Sequence, residues 1–177
     1  MDQNSGIRIL YGSYALFGRV TSWLQSPFLL AVRLYWGWQF VQTGWGKLHN
    51  LGHVTQFFTT LGIPAPHANA IFVSTVELVG GILLILGLAS RLTGLVLAGD
   101  MVVAYIVADR EALSSILSNP GKFYGADPYT FLFAALLVLI FGAGFFSLDR
   151  ILEHAGPKKS GANSVSAMQT TGHANVA

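Results

Sequence analysis

Apolar residues run through this chain in four long blocks, 28–46, 68–88, 92–108 and 129–148, with polar turns between them. A helix needs about 20 apolar residues to cross a bilayer, so each block predicts a membrane span. Ahead of them, Leu16, Phe17, Val20, Trp23 and Leu24 recur at helical spacing in a stretch too short and too polar to span. That pattern predicts an amphipathic helix lying in the interface and ending near Ser26-Pro27. A surface helix is expected in "HVTQFFTTLG", broken by Gly62, Pro64 and Pro66, and a polar or interfacial helical turn in "DREALSSILSNPG", stopped by Pro120 and Gly121. From Ala155 onward the residues are small or polar, without aromatics, and cannot bury enough surface to order themselves.

The fold expected is therefore all-α: an integral membrane four-helix bundle with short interfacial amphipathic helices. The chain divides into an N-terminal segment 1–27, a four-span membrane domain 28–148 and a flexible cytoplasmic tail 149–177. Composition strengthens the membrane reading. Of 177 residues 53% are hydrophobic and only 10% charged, against about 25% charged in a soluble domain, and the mean hydropathy is +0.55. Four spans leave little chain for a separate soluble domain.

Charge and cysteine usage narrow the function classes. The ten Lys and Arg are scattered and form no stripe, which speaks against nucleic acid. There is no cysteine, so thiol–disulfide catalysis and thiolate metal sites in this chain are excluded. The first apolar stretch is interrupted by Arg8, Gly12, Gly18 and Arg19, and a cleaved signal peptide is not expected. With the N-terminus inside, Arg8, Arg19, Arg91, Arg150, Lys158 and Lys159 fall inside, against Lys47, Arg110 and Lys122 outside. This bias predicts both termini in the cytoplasm.

Three blocks carry an ionisable group: Arg33 in the first, Glu77 in the second and Asp100 in the third. Helical spacing puts Arg33, Gly37, Phe40, Gly44 and Lys47 on one face, Ser74, Glu77, Gly81, Leu84 and Arg91 on another, and Asp100 with Thr93, Val96 and Ala104 on a third. Small residues beside each charge let backbones approach, so these faces should point into the bundle. A charge at the bilayer centre costs roughly 2.5–3.5 kcal/mol on insertion scales. An Arg33–Asp100 pair with Glu77 beside it is the simplest arrangement. Such a trio either locks helix packing or forms a polar pocket for a quinone head group, a proton or a small polar ligand. Lys47, at the outer end of its block, is expected to snorkel to lipid phosphate. His49 and His53 stand i, i+4, but no HExxH accompanies them and Gly52 intervenes. Ordinary interfacial histidines are the better reading, and no metal site is assigned.

Together, "RLYWGWQFVQTGWGKL", "LGIPAP", "ELVGGILLILGLASR" and "GDMVVAY" resemble the DoxX family of small four-span membrane proteins over about residues 28–148. The residues carrying the resemblance are Arg33, Gly44, Lys47, Glu77, Gly81, Gly87 and Arg91. It implies a multi-pass protein of the bacterial inner membrane, linked to respiratory, sulfur or oxidative-stress redox systems. On that basis the first functional expectation is a redox-associated subunit that binds a quinone. Glu77, Asp100 and Arg33 would handle head-group hydrogen bonds and protons, with Tyr35, Trp36 and Phe40 lining the pocket. Electrons would come from a redox-enzyme partner or another bound cofactor, since the spans hold no bis-His haem pair. The alternatives are a carrier or channel for a small lipophilic or protonated solute, and a purely structural or assembly protein. Besides the bilayer, the partners in view are that redox enzyme and a second copy of the chain.

Overall fold

The computed structural model describes residues 3–155. Eight helices follow one another: α1 (Gln3–His49), α2 (Leu51–Thr60), α3 (Pro66–Leu86), α4 (Ser90–Val107), α5 (Arg110–Ser114), α6 (Pro120–Tyr124), α7 (Pro128–Phe141) and α8 (Leu148–Ala155). The protein is an all-helical membrane protein. α3 and α4 are long and apolar enough to cross a bilayer, while α7 is equally apolar but has 14 residues.

α1, α3, α4 and α7 close a ring: α1 packs on α3, α3 on α4, α4 on α7, and α7 returns to α1. The core between them is Phe40, Leu84, Leu97, Ala98, Met101, Ala135 and Val138. In lipid, close backbone approach replaces the water-driven force between helices, and glycines permit it here. A Cβ on Gly44 would stand 2.7 Å from the Ser74 carbonyl oxygen, and one on Gly81 would stand 2.7 Å from that of Gly37. α1 and α3 therefore run almost backbone to backbone.

Three boundaries differ from the sequence expectation. The interfacial helix does not end at Ser26-Pro27, since α1 continues through Pro27. Proline removes the N–H that would reach the carbonyl of Trp23. Trp23 is exposed, so that carbonyl is open to other donors, and Ser26 Oγ accepts the Phe145 N–H at 3.3 Å, fixing the chain from outside. The fourth block stops early as a helix, at Phe141, because Gly142 and Gly144 take φ of 77° and 74°. Finally, the first residues of the expected flexible tail are helical, as α8; the rest of the tail, from 156, lies outside the described residues, as do Met1 and Asp2.

Candidate functional site

The charges of the first and second blocks are buried, as their helical faces require: Arg33 is 1% exposed and Glu77 2%. They do not form the expected trio. Arg33 lies at the end of the bundle where α3 stops and α7 meets α8. Its Nε donates to the Leu84 carbonyl at 2.9 Å and Nη2 to that of Ile85 at 3.1 Å. Nη1 donates to the carbonyls of Ala143 and, at 2.9 Å, Phe146. A helix leaves its last carbonyls without intrahelical partners, and the α7–α8 loop adds more. The five-donor guanidinium meets this need without any carboxylate. Gly87, at φ 66°, caps α3 in the left-handed region, and the guanidinium lies where its Cβ would be.

The same end is closed by Asp149. Its carboxylate accepts the N–H of Ala89 at 2.6 Å and of Ser90 at 2.8 Å, capping α4. Burial pushes the Asp149 carboxyl up, but these N–H bonds, the Ser90 contact and the Arg33 charge outweigh it and hold it below its usual range. A groove of about 940 Å³ lies here, lined by Arg91, Arg150, Asp149 and Glu153 among others. Asp149 is engaged by backbone donors, and Arg150 pairs with Glu153 at 3.2 Å, so this end reads as a structural clasp.

Glu77 has a different partner. Lys47, three residues beyond the Gly44 contact, donates from Nζ to Glu77 Oε1 at 2.6 Å. Lys47 thus serves an ion pair where the sequence suggested lipid phosphate. Backbone contact at Gly44 leaves the two side chains the short reach they need. A cavity of about 620 Å³ opens beside this pair, lined by Lys47, Glu77 and Asp100 together. Two carboxylate oxygens, Glu77 Oε2 and Asp100 Oδ2, are buried with no hydrogen-bond partner among the described residues. Unsatisfied buried acceptors of this kind cost about 1–3 kcal/mol each, more when charged.

The rest of the wall is largely apolar: Val54, Phe57, Phe58 and Leu61 from α2 and the residue after it, Ile63 and Pro64 from the loop, and Met101, Val103 and Val107 from α4. α2 roofs the site. The spacing of Val54, Phe57, Phe58 and Leu61 marks an apolar helix face, which was the signal available in the sequence.

Tyr35, Trp36 and Phe40 do not line this cavity. Tyr35 is 60% exposed on the outer face of α1. Trp36 and Phe40 pack edge-on against Phe131 of α7, with centroids at 5.2 and 4.8 Å. The cavity lies between α2, α3 and α4, so α1 reaches it only through Lys47. The two histidines of the i, i+4 pair fall on separate helices: His49 ends α1 against Trp45, while His53 lies in α2 and lines the cavity.

Residues 28–110 match the DoxX family. A protein of Bacillus subtilis (strain 168) named "Putative oxidoreductase CatD" is 28% identical over 120 residues, which cover 68% of this chain and 83% of that protein. No solved structure matches the chain.

Proposed function

We propose that this chain, a DoxX-family membrane protein, binds the head group of a lipophilic quinone in the Lys47–Glu77–Asp100 cavity and serves a redox enzyme of the bacterial inner membrane. One observation carries the reading: two buried, unpartnered carboxylate oxygens, of Glu77 and Asp100, belong to residues lining one apolar-walled cavity. Pockets for small lipophilic ligands have this composition, a mostly apolar wall with a few convergent polar groups. The volume of about 620 Å³ falls in the range of such pockets.

The donor and acceptor set fits a quinone and its quinol. Lys47 retains N–H groups beyond the one given to Glu77 and can orient a quinone oxygen. Glu77 Oε2 and Asp100 Oδ2 are the atoms that would accept hydroxyl hydrogen bonds and protons. When bound, the quinone supplies the electron-accepting chemistry; the chain supplies position, a dry wall and a proton acceptor. The relative named as an oxidoreductase supports the redox part of the reading.

In the same reading the four ring helices cross the membrane and both termini face the cytoplasm, following the lysine and arginine bias. Cysteines introduced singly at Asn50, Asn119 and Glu153 into this cysteine-free chain test it with an impermeant thiol reagent. Labelling of the Glu153 position from the periplasmic side overturns this orientation.

The ligand test is solvent extraction and mass spectrometry of the full chain purified in mild detergent. Wild type should retain quinone, and Glu77→Gln should retain less at equal abundance and helicity. A wild type that carries none and takes up none when it is added refutes the proposal.

A further inference from the structure

The cavity presents more carboxylate charge than its one ammonium offsets. Glu77 Oε1 already accepts from Lys47, while Glu77 Oε2 and Asp100 Oδ2 accept from nothing. Asn69, the one amide on the wall, has its Nδ2 engaged with the Pro64 carbonyl at 2.6 Å. Its Oδ1 is left as a further acceptor. The remaining donors are the other N–H groups of Lys47, the second N–H of the Asn69 amide and the ring of His53. Two carboxylates stand against one ammonium, so the lined charges do not cancel.

A quinone presents only acceptor oxygens: Lys47 can orient one of them, but any carbonyl beside Glu77 Oε2 or Asp100 Oδ2 would lie against a bare carboxylate oxygen. A quinol presents two hydroxyl donors, which form charge-assisted hydrogen bonds to carboxylates. Such bonds are about twice as strong as neutral ones. We infer that this site selects the reduced, hydroxyl-bearing form of its ligand. This inference rests on the quinone reading above and adds the redox state that the site favours. Preferential binding of the reduced form raises the potential of the bound couple, by about 30 mV for each tenfold preference in a two-electron couple. The protein therefore acts on the side of a redox reaction where quinol is held: as the product of an enzyme that reduces quinone, or as the reductant of one that consumes quinol.

A proton on either carboxyl would create a donor suited to a quinone carbonyl, so the preference is read at about pH 8.5, well above ordinary carboxyl values. The probes are a decyl-tailed benzoquinone and its quinol, titrated without oxygen into the full chain in detergent by calorimetry. The expected result is quinol binding at least about tenfold tighter than quinone, from at least one additional charge-assisted hydrogen bond. In Asp100→Asn, whose amide can donate, the preference should fall toward unity with quinone binding retained or improved. Equal affinity for the two forms in wild type overturns the selectivity while leaving the quinone site standing. Failure of both forms to bind overturns the quinone reading, and the selectivity with it. The wild-type comparison decides the matter even if a variant fails to fold.

Discussion

Lys47 holds Glu77 from one helical turn beyond the point where α1 and α3 run backbone to backbone. Nζ and Oε1 are 2.6 Å apart, with the lysine side chain 36% exposed and the glutamate 3%. The pair is thus asymmetric: one end is wet and the other is enclosed. Removing the lysine leaves a buried carboxylate without the counter-ion contact it has among the described residues, whereas removing the glutamate frees a lysine that can still reach water.

Lys47→Met should therefore destabilise the protein more than Glu77→Gln does. A double-mutant cycle between the two positions should return a coupling of about 1–3 kcal/mol, reduced from the fully buried case by the lysine's exposure. The Lys122–Glu111 pair, whose side chains are 51% and 83% exposed, should couple far more weakly, because solvent screens it. Thermal unfolding in detergent measures both cycles. Equal coupling in the two pairs would contradict the buried geometry.

Gly44→Ala should push α1 away from α3, because its Cβ would meet the backbone of Ser74 and Leu78 rather than a movable side chain. A loss of about 1–3 kcal/mol is expected from overpacking. Gly46→Ala, two residues on and with nothing within 4 Å of its Cβ, should be neutral or stabilise by up to about 1 kcal/mol through helix propensity. If both melt alike, backbone contact at Gly44 is not what sets the helix register.

Arg33→Leu should destabilise strongly, by several kcal/mol, because four carbonyl oxygens lose the guanidinium and only that of Leu84 keeps another backbone donor, the Gly87 N–H, among the described residues. Adding Asp100→Asn should give no rescue, since the aspartate shares no hydrogen-bonded partner with Arg33. The two effects should add to within about 0.5 kcal/mol. A double variant more stable than Arg33→Leu would instead place the two charges in contact.

The faces of α1 and α3 were legible in the sequence, but the Asp100 face was not, since Val96 is 47% exposed, nor were the pairings. Arg33, Gly37, Phe40 and Gly44 share an inward face because helical geometry alone fixes which residues align, and all four are buried. Ser74, Glu77, Gly81 and Leu84 follow the same rule. Which charge meets which depends on how far one helix slides along another, and that is set by contacts such as Gly44 against Leu78. Periodicity also hides carbonyl groups, since every residue carries one. An arginine satisfied by the end of α3 and the α7–α8 loop therefore looked as though it needed an acid. α2 was legible as an apolar helix, but its position as a roof depends on the turn through Gly62 and Ala65, both at positive φ.

Acid should loosen the clasp at the Arg33 end. Asp149 is held below its usual carboxyl value, so its contribution to stability is complete above about pH 4. It is lost as pH falls through the lowered folded value. Asp149→Asn should lower the melting temperature at neutral pH, and its difference from wild type should shrink as the pH is taken down toward 3. A constant difference across that range would show that the charge is not what caps α4.

The Arg33 collar also sets a schedule for biosynthesis. Two of its four acceptors, Ala143 and Phe146, lie 110 and 113 residues further along the chain. At translation rates of about 5–20 residues per second, the guanidinium is made roughly 5–20 s before these partners leave the ribosome. Through that interval α1 is in place with a cation only half accommodated by α3. The Arg33 site therefore stays incomplete until the last apolar helix and the loop after it arrive, and a chain that terminates before Ala143 never completes it.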